Sequence, residues 1–225
     1  MARDIRHFAE ELEHLKQRLL VMGGLAEDRV SLAMRALVER NREAVREVIE
    51  GDEAVNQMHV EIDDRCFKLL ALHQPMASDL RTIVSAVKIN NDLERVGDLA
   101  VNIGQAAERY ISHPPVKPLI DLPRMGTLAQ RMLRGALDSF VSRNIKAAHE
   151  VLEQDDALDG LKNQIFRELL TYMLGDPHTI EPAIDLVLMS RHLERIGDHA
   201  TNIAEDVIFI VEARDVRHHA GERAT

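Results

Sequence analysis

The segment NDLERVGDLAVNI at residues 91–103 returns as RHLERIGDHATNI at residues 191–203. Apolar residues in and around each copy recur in alternating steps of four and three, which is the spacing of a helix buried along one seam. In the first copy the seam residues are Ile89, Leu93, Val96, Ala100, Ile103, Ala107 and Tyr110. In the second copy they are Met189, Leu193, Ile196, Ala200, Ile203, Val207 and Ile210. The two segments therefore predict two long helices, each packed against neighbours along one face.

The repeat extends beyond this motif. Residues 39–56 match residues 142–159 with an offset of 103 positions, and no long segment alternates polar and apolar residues as a strand would. Proline, glycine and capping residues divide the chain into six periodic stretches. These stretches are 5–39, 42–73, 79–112, 122–142, 145–174 and 180–214. The sequence thus predicts an all-α protein of two pseudo-symmetric antiparallel three-helix bundles, with six long helices and an internal repeat.

A proline-rich segment, HPPVKPLIDLP, separates the two copies of the repeat. Because proline interrupts helices, this segment is the natural linker. We place the first three-helix repeat at residues 1–112, the linker at 113–123 and the second repeat at 124–225. The pair Gly23 and Gly24 falls inside the first helix and predicts an interruption there, by a kink or local flexibility.

The composition narrows the possible functions. The chain has 225 residues with 38 acids and 28 Lys or Arg, so its formal net charge is −10. This charge repels nucleic acid, and we expect no nucleic acid partner. The N-terminal residues lack the apolar core of a signal peptide, and no run approaches the roughly 20 apolar residues of a membrane span. The single Cys66 suits a reducing compartment, so we expect a soluble cytoplasmic protein.

Each motif helix also carries a polar stripe that packing does not explain. The stripe has side chains one helical turn apart in both copies, namely Glu94, Asp98, Asn102, Glu194, Asp198 and Asn202. Carboxylates at this spacing repel each other, and oxygen ligands on adjacent turns suit a hard metal ion. Asp52 and Asp155, in the second and fifth helices, add an acid to each predicted site. Iron, zinc, manganese, magnesium and calcium all remain open as the metal.

Ordinary structural roles are the alternative for these residues. The carboxylates of each copy also fit a solvated helix face that Arg95 or Arg195 neutralises. For Asp52 and Asp155 the structural interpretation, as solvent-facing acids or as acids at a helix start, is favoured over metal binding. The glycine inside each motif costs about 1 kcal/mol against alanine in a helix interior, which indicates close approach of another backbone or a bound group.

The sequence contains no strong motif for a catalytic site. The one Glu-x-x-His pair, at residues 11–14, has no counterpart on another helix, which disfavours a di-iron oxidase. The sequence contains neither a phosphate-binding loop nor a dinucleotide-binding glycine motif. His192 and His199 are interpreted as surface residues because Asp92 and Leu99 replace them in the first copy. We therefore expect that the protein is not an enzyme. The alternatives are a metal-dependent hydrolase or oxidase and a metal-buffering protein.

Several segments together resemble the PhoU family of bacterial phosphate-signalling proteins. Besides the two LER[VI]GD motifs, they are MGGLAED (22–28), VIEGDEAVN (48–56), QPMASDLR (74–81) and LTYMLGDPHTI (170–180). The resemblance covers nearly the whole chain. It implies two three-helix bundles, a tendency to form homodimers, and negative regulation of the phosphate-starvation response.

The resemblance also implies partners and ligands. The implied partners are PstB, the ATPase subunit of the Pst phosphate transporter, and PhoR, the membrane sensor kinase, with membrane contact through these complexes only. Some family members bind multinuclear metal clusters through E(D)-x-x-x-D motifs. Carried over position by position, the ligands are Glu94, Asp98, Glu194 and Asp198. The neighbouring family positions are Asn102, Asn202, Asp52 and Asp155.

Overall fold

The computed structural model describes residues 2–51 and 53–214, and their regular structure is helical throughout. Eight α-helices follow one another: α1 (Ala2–Glu39), α2 (Arg42–Glu50), α3 (Glu53–His73), α4 (Ser78–Ile111), α5 (Asp121–Ser142), α6 (Ile145–Leu152), α7 (Asp155–Gly175) and α8 (Ile180–Glu212). A single 3-10 turn, Pro177–Thr179, precedes α8. None of the described helices has the length and apolar content needed to cross a membrane. The predicted all-α fold is confirmed.

Two of the six predicted stretches are each divided into a short and a long helix. The stretch 42–73 is broken between α2 and α3, and the stretch 145–174 between α6 and α7. The side chain of Asn41 caps α2 by accepting from two backbone amides, and that of Asn144 caps α6 by accepting from one. Each bundle therefore has a short, separately capped helix in front of its middle helix.

The helices pack as two bundles of three long helices. The first bundle contains α1, α3 and α4 with the short α2, and the second contains α5, α7 and α8 with the short α6. All predicted seam residues of α4 and α8 are buried. The bundles meet where α4 lies against α8 and α1 lies against α5. Ion pairs of Arg109 with Asp185 and of Lys88 with Asp206 join opposite ends of α4 and α8, so these helices run antiparallel.

Glycines bring α1 and α5 into close contact. The helix α1 continues through Gly23 and Gly24, so the glycine pair does not divide it into two helices. A Cβ atom on Gly23 would lie 2.2 Å from Leu137 Cδ1, and one on Gly126 would lie 2.9 Å from Met34 Cγ. These two contacts are equivalent under the offset of 103 residues. Gly23 thus serves a pseudo-symmetric contact between the bundles and does not end the helix.

Candidate metal centres at the motif helices

Four carboxylates from α7 and α8 gather on one face of the second bundle: Asp155, Asp159, Glu194 and Asp198. The two helices approach closely because the motif has a glycine at 197. A Cβ atom on Gly197 would lie 2.2 Å from Cδ2 of the buried Leu158. The glycine predicted to allow a close approach therefore admits a side chain of the neighbouring helix.

Lys162 provides positive charge within this cluster. Its Nζ donates a hydrogen bond to Asp159 Oδ1 at 2.9 Å and another to Glu194 Oε1 at 2.7 Å. The hydrogen bond to Glu194, followed by that to Asp159, raises the pKa of Lys162. The lysine is therefore charged at neutral pH and bridges α7 to α8. Sequence reasoning missed this residue, although its position one turn after Asp159 was a signal.

One lysine leaves the four carboxylates with excess negative charge. Partial burial, followed by repulsion from Asp159, Asp156 and Glu194, raises the pKa of Asp155. Partial burial, followed by repulsion from Glu194, Asp155 and Asp159, raises the pKa of Asp198. Both shifts mean that ionising these two groups is unfavourable in the folded chain, and a bound cation would offset that cost.

Two of the equivalent carboxylates of the first bundle share one arginine, which compensates one of their two negative charges. Arg95 contacts Glu94 at 3.4 Å and Asp98 at 3.2 Å. These are the ion pairs expected if the carboxylates belong to an ordinary solvated helix face. Asp52, the predicted acid of the preceding helix, lies outside the described residues. Among the described residues, no three His, Cys, Asp or Glu side chains form a group arranged to hold a metal ion. The carboxylate ligands of both bundles have the oxygen chemistry that a hard cation prefers, and those of the second bundle have less compensating positive charge.

Asn202 contacts the other bundle. Its Nδ2 lies 3.3 Å from Asp92 Oδ1, and His199 Nδ1 lies 2.8 Å from the same oxygen. The side chain of His199 is 16% exposed, so its interpretation as a surface residue is wrong. A signal was present in the repeat, because the counterpart of His199 is the apolar Leu99, which is buried. The motif therefore supplies polar contacts between the bundles as well as a carboxylate stripe.

His192 is partly buried too, and it is not the surface residue that the sequence suggested. Its Nδ1 atom is buried and has no hydrogen-bond partner among the described residues. Burial, followed by the charges of Arg195, Arg191 and Arg109, lowers the pKa of His192. The imidazole is therefore neutral at neutral pH. The predicted site residue Asn102, on α4, is half-buried.

Comparison with known proteins gives consistent matches over both repeats. The family model described as "PhoU domain" matches residues 19–107 and 122–207. A Caulobacter vibrioides protein named "Phosphate-specific transport system accessory protein PhoU homolog" is 43% identical over 206 residues, covering 91% of this chain and 90% of that protein. The homolog of the same name from Aquifex aeolicus is 40% identical over 209 residues, covering 93% of this chain and 95% of that protein.

Two solved structures share the fold. The crystal structure of PhoU from Pseudomonas aeruginosa superposes with a TM-score of 0.88 at 38% identity, covering 92% of this chain and 100% of that chain. The phosphate transport system regulatory protein PhoU from Streptococcus pneumoniae gives a TM-score of 0.85 at 29% identity, covering 93% of this chain and 99% of that chain.

Proposed function

Because this chain belongs to the PhoU family, we propose that it regulates phosphate uptake and signalling as an accessory protein of a phosphate-specific transport system. The match of the family model to both repeats is the observation that supports this function. In this proposal the chain works in the cytoplasm and represses the phosphate-starvation response when phosphate is plentiful. It does so by linking PstB, the ATPase subunit of the transporter, to the sensor kinase PhoR.

The two bundles support an adaptor role because they share a fold but differ in surface chemistry. In the first bundle Arg95 pairs with both Glu94 and Asp98. In the second, by contrast, Lys162 pairs with Asp159 and Glu194, and Asp155 and Asp198 are left without a basic ion-pair partner among the described residues. An adaptor that holds two different proteins needs two different surfaces, and a duplicated fold that has diverged offers them. Surface charge of this kind acts mainly on the rate and specificity of association.

We extend the proposal to metal binding by the carboxylates of the second bundle. A hard divalent or trivalent ion would be held by Asp155, Asp159, Glu194 and Asp198, and iron, zinc, manganese, magnesium and calcium remain candidates. Such an ion would supply positive charge between α7 and α8. Lys162 already neutralises part of this cluster, so it competes with a cation for Asp159 and Glu194. In the first bundle Glu94 and Asp98 take the same role, and Arg95 is the competitor.

Elemental analysis tests the metal proposal. The purified chain is compared with a variant that carries Glu94→Ala, Asp98→Ala, Glu194→Ala and Asp198→Ala. We expect the variant to lose bound metal and to keep its helical circular dichroism. Equal metal content in the two proteins would contradict the assignment. Turnover of phosphate esters, polyphosphate or oxygen by the metal-loaded chain would favour the hydrolase or oxidase alternative, and many ions per chain would favour metal buffering.

A phosphate-starvation promoter fused to a reporter tests the regulatory function in the host. We expect deletion of the gene to switch the reporter on in high phosphate, and the restored chain to switch it off. Cross-linking in high phosphate is expected to recover PstB and PhoR with the chain. Normal repression in the deletion strain, or recovery of neither partner, would contradict the proposal. We propose in addition that the chain forms a homodimer, and sedimentation of the purified chain tests this.

A further inference from the structure

A groove between α5 and α7 forms a surface separate from the carboxylate cluster. The groove has a volume of about 660 Å³, and its lining contains Arg124 and Arg131 but no carboxylate. Leu128 and Leu161, both nearly buried, form an apolar floor. In a chain with a net charge of −10, this groove is locally basic. We refer to it as the α5–α7 groove.

Arg131 is held in place by an uncharged partner. Its Nε donates to Gln154 Oε1 at 2.9 Å, and Gln154 Nε2 donates to the backbone carbonyl of Glu150 at 2.8 Å. The guanidinium is therefore positioned without being neutralised. One turn further along α5, Arg134 differs, because it pairs with Glu27 of α1. The positive charge of Arg131 thus stays available at the groove.

Two of the acids that flank the groove on these helices are already engaged. Asp121, one turn before Arg124, and Glu168, one turn after Gln164, both contact Lys117 of the linker. The side chain of Lys117 is only 7% exposed, so this three-residue cluster is held against the bundle. Arg124 makes no ion pair with any residue that the structure describes. Neither arginine of the groove therefore has an ion-pair partner among the described residues, although the exposed Asp156 is adjacent in sequence to the lining residue Ala157.

The equivalent surface of the first bundle lacks both arginines, because Val21 and Asp28 occupy their positions. With the offset of 103 residues, Arg131 corresponds to Asp28 and Gln164 corresponds to Glu61. The basic character of the α5–α7 groove is therefore not a consequence of the shared fold. It is a property of the second bundle alone.

The side of the groove formed by α7 leaves room for another helix to pack against it. Its small members are Ala157 and Gly160, with Gln164 one turn beyond, and nothing lies within 4 Å of a Cβ atom built on Gly160. Small side chains allow a docked helix to approach within the usual packing distance of about 8–10 Å. Arg124 and Arg131 are seven residues apart, which is about 10 Å along the axis of α5. Carboxylates two turns apart on a docked helix match that separation.

We propose that the α5–α7 groove docks an acidic amphipathic helix of a partner protein. Apolar residues of that helix cover Leu128 and Leu161, and its carboxylates pair with Arg124 and Arg131. A free inorganic anion is too small to cover the apolar floor, and the net charge of the chain repels nucleic acid. The inference rests on the proposed adaptor function only for the identity of the partner. Docking itself is measured with the purified full chain, so failure of docking and failure of the reporter experiment are distinguishable.

The probe is a fluorescent, alanine-based helical peptide of about 20 residues. It carries two glutamates seven residues apart and leucines on the same face, and a control peptide has lysines in place of the glutamates. Both are titrated with the full chain at low salt by fluorescence anisotropy. The test variant is Arg124→Glu with Arg131→Glu. The matched control is Arg35→Glu with Arg46→Glu, which makes the same charge change at two exposed arginines of the first bundle.

The acidic peptide is expected to bind the wild type and the matched control, and to bind the groove variant at least about tenfold more weakly. The lysine peptide is expected not to bind. Gly160→Leu, which fills the groove without changing its charge, is expected to weaken binding to a similar extent. Inorganic phosphate is expected to displace the peptide no better than chloride at equal ionic strength.

Several results would overturn the proposal. These are no binding of the acidic peptide, equal loss in the groove variant and the matched control, or unchanged binding to Gly160→Leu. Specific displacement by phosphate would overturn helix docking in favour of a small-anion site. Circular dichroism confirms that each variant is folded before titration, so loss of binding is not loss of the fold.

Discussion

His199 of the second bundle and Asp92 of the first are joined across the contact of α8 with α4, with Nδ1 2.8 Å from Oδ1. Asn202 donates to the same oxygen, so two residues of the repeated motif share one carboxylate of the other bundle. The side chain of Asp92 is only 15% exposed. This small polar network fixes how the two halves of the chain meet.

Removal of the Asp92 carboxylate should weaken the contact between the bundles. Asp92→Ala leaves His199 and Asn202 without their acceptor, and we expect the free energy of unfolding to fall by about 1–2 kcal/mol. Urea denaturation measures this loss. Glu108→Ala, at an exposed position of the same helix, is the control and should change stability little. Equal stability of the two variants would show that the network does not hold the bundles together.

Removing only the arginine of the Arg109–Asp185 ion pair should lower the free energy of unfolding. The side chain of Asp185 is 6% exposed, so Arg109→Met leaves a buried carboxylate without its partner. We expect a loss of about 2–3 kcal/mol. The double variant Arg109→Met with Asp185→Ser should recover most of it, because serine is the counterpart residue at position 85. Additive losses in the double-mutant cycle would rule out coupling between the two residues.

Two glycine substitutions should have opposite effects on stability. Gly197→Ala places a Cβ atom 2.2 Å from Leu158 Cδ2, and because Leu158 is fully buried we expect a net loss of about 1 kcal/mol. Gly24→Ala meets nothing within 4 Å, and helix propensity should stabilise it by about 0.5–1 kcal/mol. Thermal or urea denaturation compares them. A stabilising Gly197→Ala would contradict the close packing of α7 on α8.

Neutralising Asp198 should stabilise the metal-free chain at neutral pH. Because the folded-state pKa of Asp198 is raised, the folded chain binds the proton more tightly than the unfolded chain does. The protonated Asp198 carboxyl therefore contributes its full share to the free energy of unfolding below the ordinary Asp pKa of about 3.9. This contribution is lost as the pH rises through the pKa that the group has in the folded chain. We expect Asp198→Asn to gain about 0.5 kcal/mol at neutral pH with chelator present, since solvent screens the partly exposed group.

Urea denaturation of both proteins across this pH range checks the linkage. The advantage of Asp198→Asn should disappear at the acid end, where the wild-type carboxyl is protonated as well. Asp138→Asn, at an exposed position on α5, is the control and should show no such trend. An Asp198→Asn variant that is less stable than the wild type at neutral pH would mean that the carboxylate is stabilised by its surroundings.

Periodicity in the sequence predicted the buried faces but not the helix breaks. Val48 and Val55 are seven residues apart and lie on either side of the first break, and Val151 and Leu158 repeat this around the second. Because the heptad step continues across each break, the apolar pattern is that of one long helix. The caps Asn41 and Asn144 bond to backbone amides two or three residues further on, so a cap of this kind depends on local sequence.

The apolar periodicity of the sequence did not predict which side chains of different helices contact each other. Lys162 meets Glu194, and His199 meets Asp92, through the register of neighbouring helices. A single helix repeat does not specify that register. The carboxylate stripe itself was predictable because residues four apart must share a helix face.

Assembly of the three purified proteins tests the adaptor function most directly. The full chain is mixed with PstB and the cytoplasmic portion of PhoR, and the masses of the complexes are measured by light scattering after size-exclusion chromatography. We predict a complex that contains all three proteins, and no complex of PstB with PhoR when the chain is left out. Binding of neither protein to the chain, or formation of the PstB–PhoR complex without it, would contradict the adaptor function.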